Sequence, residues 1–567
     1  MSLQENKNRK VVIFGGGIAG LSTAHELIRL GYSVQVYEAN GEAGGFFRSA
    51  RFPENGNIPS EYSWHGMGPW YHNTFDLLKQ IPFDEKGSIY DHALSRPINF
   101  GIFPNQGDAQ FYDKGLRSIP MMFKMSKWDW VKWSWLMLKT WAARRRTELH
   151  YSTLNAAEQW KEVLGEQSYT TWRSCFGPWI GSDWTLVSLH TTGQFFRKQL
   201  TSQPAHLHSA DSDGSAWTHG AGDGWLLLRG PSSEFWFDRW VRDLCAKGVE
   251  FFWNAPLEKL HSDGSNINVA ELEGGTMVQA DLYVVATDPF SAAQIFACSP
   301  VLEQERELRL FRLLIQDGPH TQVSFRIAFA DSIRFLRERV AVVLADSEFN
   351  LTLFAEEQAW GPDVELGDSV KSLWTGTSCV GTVPGRVHNL PVMSCSKEQF
   401  IEEVTEQIMN CQSLDSLIRE SNDGRSLRDF PILKIEVWHE WKFGPEGVKP
   451  LHPKWVTTTH SQAYLPNQVT SIPNLFLAGA HTRTSADVWS IEGAVESGRL
   501  AAKGIDPRVS VMGQYKPLWL KFLSLLDDIC YKFGAPHVLD LFLGAFVLGI
   551  VMVALVASYL FIQVRFS

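Results

Sequence analysis

Glycine interrupts the apolar runs of this chain at a few places and divides it into units. Near the start, Lys10-Val11-Val12-Ile13-Phe14 predicts an apolar strand that stops at Gly15. Leu21, Ala24, Leu27 and Ile28 recur at helical spacing. Ser33-Val34-Gln35-Val36-Tyr37 predicts a second strand ending at Glu38. Across 236–260 a helix pattern gives way to strand, and 282–286 is an apolar stretch stopped by a turn, the pattern of a buried strand. Late in the chain, Leu475-Phe476-Leu477-Ala478-Gly479 predicts one more strand, and a helix pattern follows over 492–502.

The C-terminal region has a different pattern. Residues 541–564 include no charged side chain. As a helix they span about 36 Å, enough for a hydrocarbon layer of about 30 Å. Asp540 precedes this stretch, Arg565 follows it, and only Phe566 and Ser567 remain, the layout of a single-pass tail anchor. Over 518–533, Lys521, Ser524, Asp528 and Lys532 fall on one stripe of an otherwise apolar helix, which predicts an interfacial helix. Residues 121–141 interleave Trp128, Trp130, Trp133, Trp135 and Trp141 with Lys124, Lys127, Lys132 and Lys139. Arg144-Arg145-Arg146 follows. Trp with Lys suits the headgroup layer, and a core helix closing a substrate domain is the competing expectation.

The glycines carry the first chemistry. In Gly15-Gly16-Gly17-Ile18-Ala19-Gly20, Gly15 permits a tight turn, Gly17 lets a pyrophosphate approach the backbone, and Gly20 lets the helix lie close to the strand. Free N–H groups at the helix start, with Ile18 and Ala19, favour phosphate. Glu38 stands where an acid holds a ribose hydroxyl, about 20 residues beyond the glycines. Ser485, Asp487 and Ser490 are candidate caps for the late helix.

At 567 residues the chain is too long for one core. A formal net charge of -10 disfavours nucleic acid as a general partner. The seven cysteines show no metal-ligand spacing, so no metal is expected. The polar opening residues carry no secretory signal, which predicts free thiols and a catalytic part facing the cytosol. His219-Gly220-Ala221-Gly222-Asp223-Gly224 lacks a preceding apolar strand and predicts a loop, so a second dinucleotide fingerprint is not expected.

Gly44-Gly45-Phe46-Phe47-Arg48 resembles the Gly-Gly-x-x-Arg extension of the flavin amine oxidase and phytoene desaturase superfamily. Ile472-Pro473-Asn474 leading into the Gly479 strand, with Glu492-Gly493-Ala494-Val495, looks like the closing FAD motif of that superfamily. Pro59-Ser60-Glu61-Tyr62-Ser63-Trp64-His65-Gly66-Met67-Gly68 resembles the segment beside the flavin ring in phytoene desaturase-like and hydroxysqualene dehydroxylase-like flavoproteins. Asp346-Ser347-Glu348-Phe349-Asn350-Leu351 looks like part of their substrate-domain sheet. The resemblance implies an α/β (mixed α+β) fold. A discontinuous Rossmann-type FAD-binding domain would comprise 1–80, 226–300 and 455–507. A mixed-sheet and helical substrate domain would comprise 81–225 and 301–454. An interfacial helix or linker at 508–540 and a transmembrane anchor at 541–564 complete the expected layout.

The resemblance also assigns residues. Gly44, Gly45 and Arg48 would lie near the FAD phosphates, and Leu257 would offer its backbone to adenine. The strand 282–286 would close the sheet. The N-terminus of the closing helix, with Gly479, Glu492, Gly493 and Ala494, would face the flavin ring. One departure stands out: Ala480, followed by His481, replaces the acidic residue that bonds the ribityl chain in the family.

No nucleophile triad is evident, so FAD itself is the expected reactive group. Tyr62, Trp64 and His65 are candidate wall residues. His65 is the candidate proton relay and His439 a second one. The leading expectation is a membrane-anchored oxidoreductase that desaturates or isomerises an isoprenoid, carotenoid or other lipophilic polyene by hydride transfer to flavin. Oxygen or a quinone would accept the electrons, and the endoplasmic reticulum is favoured over the mitochondrial outer membrane. A flavin amine oxidase is the alternative. Against it, the closing motif has no Cys for a covalent flavin, so FAD is expected to be non-covalent, and Tyr464 supplies at most half of an aromatic cage. A non-catalytic, membrane-tethered flavoprotein is the third reading.

Overall fold

A computed structural model describes residues 9–85, 87–95, 98–111, 118–201, 207–210, 216–219, 225–335, 337, 340–445 and 447–566. The glycine-rich run 220–224 lies outside these residues.

Five parallel strands assemble from three distant parts of the chain. Their order is Leu475–Leu477, Leu282–Val285, Lys10–Phe14, Ser33–Tyr37, Glu250–Phe252. The sheet is covered on both faces, which explains its uninterrupted apolar runs. Val11 and Ile13 join one cluster with Leu21, Ala24 and Val495; Val12 and Phe14 join another with Leu260, Ala270 and Ile295. The strand Leu282–Val285 does not close the sheet. It is buried along its length and flanked by Leu475–Leu477, so the late strand forms the edge.

The helices Ile18–Arg29 and Ile491–Ile505 pack side by side. A Cβ on Gly498 would stand 2.3 Å from the Ala19 carbonyl oxygen, so only glycine allows this approach. Thr23 Oγ1 donates to Gly498 O at 3.0 Å. Arg499 is buried and pairs with Glu26 at 3.0 Å and Asp76 at 2.6 Å. The last part of the sequence is thereby locked onto the first.

A seven-stranded sheet lies elsewhere in the chain, with Asn99–Phe103 parallel to Val340–Leu344 and its other pairs antiparallel. Of 346–351 only Leu351 belongs to a strand; the residues before it turn the chain, with Asn350 at φ 52°. The aromatic content concentrates among the helices Lys127–Trp141, Ala156–Val163, Glu166–Ile180 and Leu189–Thr201. There Trp133 stacks on Trp172 at 5.5 Å between ring centroids, and Trp160 meets both edge-on.

The Trp-Lys segment is two helices, Ser118–Met122 and Lys127–Trp141, broken where Lys124 turns left-handed. Ser126 and Asp129 start the second with a capping box. Trp133 and Met137 are core, whereas Trp128 is 75% exposed. The core-helix expectation therefore holds for Trp133 and Met137.

The expected polar stripe on Leu518–Lys532 is divided. Ser524 and Asp528 face the protein together with Asp527, while Lys521 and Lys532 face outward. Arg144 pairs with Asp528 at 2.5 Å and Arg146 with Asp527 at 3.0 Å, which draws the acids inward. Leu518, Trp519, Phe522, Leu525, Ile529 and Phe533 are exposed. The helix Val538–Phe566 follows and is long and apolar enough to cross a membrane. Its base is tied down: Asp540 accepts from Trp135 Nε1 at 3.1 Å and pairs with Lys139 at 2.7 Å.

Candidate active site

The first strand ends in a turn that only glycine fits. Gly15 has φ 111°, and a Cβ there would lie 2.5 Å from the Ala286 carbonyl oxygen. Gly15 N donates to Tyr37 O at 2.8 Å, and Gly16 N donates to Glu38 Oε2 at 2.6 Å. Glu38 Oε1 accepts from the backbone and side chain of Asn40 at 2.9 and 2.6 Å. The helix Ile18–Arg29 begins at Gly17 with no side-chain cap, which leaves its first N–H groups available to an anion. Gly44 N donates to Gly16 O at 2.9 Å, laying the second glycine turn against the first.

A cavity of about 480 Å³ runs from this turn. Of the sequence-predicted residues, its wall includes Gly15, Gly17, Ile18, Ala19, Glu38, Gly44, Gly45, Leu257, Gly479, Ala480 and Ala494, as well as Tyr62, Trp64 and His65. Four of the predicted cofactor-binding residues are not on this wall. Gly20 lies behind it, where a Cβ would stand 1.9 Å from the Gly15 carbonyl oxygen. Arg48 is buried, pairs with Glu440, stands 3.4 Å from Glu42 and donates to Gly45 O at 2.9 Å, so it braces the second turn from outside. Glu492 is turned away, accepting from Asn73 and Thr74 backbone and side-chain donors at 2.8 to 2.9 Å. Gly493 N is taken by Ser490 Oγ at 3.0 Å. Ser490 is thus the cap of the closing helix, whereas Asp487 bonds His190.

His65 is buried, and burial pushes its imidazole down to about 4, so it is neutral at pH 7; Nε2 has no hydrogen-bond partner. This removes the near-neutral titration that made it a relay candidate. His439 is off the cavity, bonded through Nδ1 to Ser60 Oγ at 2.9 Å and 3.2 Å from Glu440. Tyr464 is also off the wall, and no cysteine lines it. His481 lines the cavity beside Ala480, packed edge-on against Phe311 and Trp455. Among the described residues no cluster of three His, Cys, Asp or Glu side chains is set to hold a metal.

Sequence reasoning missed Lys454. It lines the cavity half-buried, and its Nζ donates to Tyr62 Oη at 2.8 Å, Gln322 Oε1 and the Gly181 carbonyl. Burial pushes its ammonium down to about 7. No local pattern marks this lysine, because its partners come from three remote segments. Beyond it the cavity becomes aromatic, with Phe100, Trp179, Phe195 and Trp225. A separate small apolar void shares these four wall residues and is also lined by Ile119 and Leu200.

A parallel α/β sheet with a glycine cradle at its strand ends, opening into a long apolar chamber, defines a nucleotide-cofactor oxidoreductase. The profile of the flavin containing amine oxidoreductase family matches residues 18–506, and the chain belongs to that family. It is 24% identical over 529 residues to the zeta-carotene desaturase, chloroplastic/chromoplastic, of Solanum lycopersicum, covering 87% of this chain and 80% of the relative. It is 32% identical over 527 residues to that of Capsicum annuum, with the same coverage. The fold is similar to cyclohexylamine oxidase from Brevibacterium oxydans IH-35A, at TM-score 0.54 and 15% identity over 88% of this chain and 98% of that one. FAD is therefore the expected cofactor, and the uncapped helix start, the paired glycine turns and the elongated cavity fit it.

Proposed function

We propose that the protein is a membrane-anchored, FAD-dependent oxidoreductase that desaturates or isomerises a lipophilic isoprenoid, carotenoid or other polyene. The observation that carries this reading is the aromatic chamber joined to the glycine cradle, with a small apolar void against its far wall at Ile119. The aromatic walls of this chamber suit an elongated hydrocarbon chain. The zeta-carotene desaturase relatives support a polyene.

In this reading the domains follow the expected division, with Rossmann-type segments 1–80, 226–300 and 455–507 holding FAD non-covalently. Gly15, Gly17, Gly44 and Gly45 carry the phosphates, with Ile18 and Ala19 supplying N–H groups. Glu38 takes the ribose and Leu257 the adenine. Gly479, Ala480 and Ala494 border the flavin, while Gly20, Arg48, Glu492 and Gly493 support these residues from behind. When bound, FAD supplies hydride acceptance and onward electron transfer, to oxygen or a quinone. Trp64 and Tyr62 wall the substrate and exclude water. His65, neutral, stands beside them as a wall residue. The outward apolar face of Leu518–Lys532 lies on the bilayer and Val538–Phe566 spans it, with the catalytic part in the cytosol and the endoplasmic reticulum as the favoured membrane.

The test uses full-length protein in lipid nanodiscs. It should be yellow, release FAD on denaturation, and convert an isoprenoid polyene such as zeta-carotene to a product lacking two hydrogens or to a geometric isomer. Hydrogen peroxide formation with simple amines, and none with polyenes, would replace this reading by amine oxidation. Protein that stays colourless after FAD addition would sink both.

A further inference from the structure

The substrate end of the cavity contains one feature that a pure hydrocarbon does not require. Lys454 Nζ meets three neutral acceptors, Tyr62 Oη, Gln322 Oε1 and Gly181 O, and among the described residues it has no ion-pair partner. The acids on the cavity wall, Glu38 and Asp288, are at the nucleotide end. Glu38 is held by Gly16 N and Asn40, and Asp288 caps the helix Pro289–Ala297 just beyond the strand that meets Gly15. A cation partly withdrawn from water on a cavity wall, without a counter-ion, is costly. The arrangement favours an anion arriving with the ligand, because a carboxylate would pair the charge and share the Tyr62 hydroxyl.

We propose that Lys454, with Tyr62 and Gln322, is a polar anchor for a carboxylate on an otherwise apolar substrate, so that the chamber selects an amphiphilic polyene acid. This inference rests on the lipophilic-substrate reading and narrows it. Gln322 and Tyr62 act as positioning residues: the Tyr62 hydroxyl bonds Gln322 and receives Lys454, so the amine is held by a preformed network. The apolar part of the ligand would lie against Trp179, Phe195 and Trp225.

The test compares cis-parinaric acid with its methyl ester, two probes with the same polyene chain that differ in charge. Binding to the FAD-loaded full chain in nanodiscs is read by energy transfer from tryptophan. A charge-assisted bond in a buried site is expected to favour the acid over the ester by about tenfold. Lys454→Met should erase that preference with ester affinity and FAD content unchanged, and Lys454→Arg should retain part of it. Equal binding of acid and ester by the unsubstituted protein overturns the anchor while leaving the lipophilic reading intact. This outcome needs no variant, so it stands even if Lys454→Met misfolds. A preference that survives in a folded Lys454→Met also overturns it. Binding of neither probe overturns both the anchor and the lipophilic reading.

Discussion

Two glycines three residues apart, Gly17 and Gly20, should fail in different ways when given a methyl group. Gly20→Ala places Cβ 1.9 Å from the Gly15 carbonyl oxygen, with Ala286 Cβ at 3.3 Å. Ordinary contact begins near about 3.5 Å, so the overlap is roughly 1.6 Å against backbone that has no rotamer to yield. The helix must lift from the turn, at a cost of about 3 kcal/mol or more, the upper end for overpacking. Gly17→Ala meets only Gly45 Cα, at 3.8 Å, and its φ of -76° suits any residue. Its methyl joins the cavity wall, so it should leave apoprotein stability within about 0.5 kcal/mol and weaken FAD about tenfold. The assays are denaturant unfolding of FAD-stripped protein and flavin titration of the same preparations. A Gly20→Ala protein of unaltered stability would refute the packing argument. A Gly17→Ala protein with full FAD affinity would refute the assignment of this turn to the pyrophosphate.

Arg499→Met removes a cation from between Glu26 and Asp76 and leaves buried Glu26 with Arg29 alone, at 3.3 Å; unfolding in urea should show a loss of about 2 kcal/mol, below the cost of a wholly unpaired buried charge. Burial pushes the Glu356 carboxyl up to about 8, Arg326 opposing, so the folded state holds a proton that the unfolded chain releases near 4.5. Its stability contribution is therefore lost as pH rises from 4.5 towards 8. Glu356→Gln should gain on the unsubstituted protein across that window by up to about 1.4 kcal/mol per pH unit, and unfolding at about pH 5 and about pH 8 checks the sign. In a chain ending at residue 537, the remaining apolar face of Leu518–Lys532 should still retain the protein on liposomes, and Phe522→Asp with Ile529→Asp should release it into the supernatant on flotation.

Local chemistry made the cofactor half of the molecule legible. A strand, a glycine turn and a helix within twenty residues constrain each other, and both the Gly15 turn and the strand Leu475–Leu477 lie where their patterns predict. Roles set by distant partners were not legible. Arg48 belongs with Glu440, and Lys454 with Tyr62, Gln322 and Gly181, and no spacing near either residue encodes those meetings. The helix Leu518–Lys532 shows the same limit in a sharper form. Periodicity reveals a polar stripe but not which way it faces, and Arg144 and Arg146, far away in sequence, turn Asp527 and Asp528 inward. That orientation leaves Leu518 at 81% and Phe533 at 78% exposure, a polarity that water would penalise and a lipid surface would reward. The neighbouring tie of Asp540 to Trp135 and Lys139 fixes the apolar helix against the same face. The helix Leu518–Lys532 and the apolar helix after it are therefore both tied to the segment 135–146, and Ile119, in the helix before that segment, lines the small void.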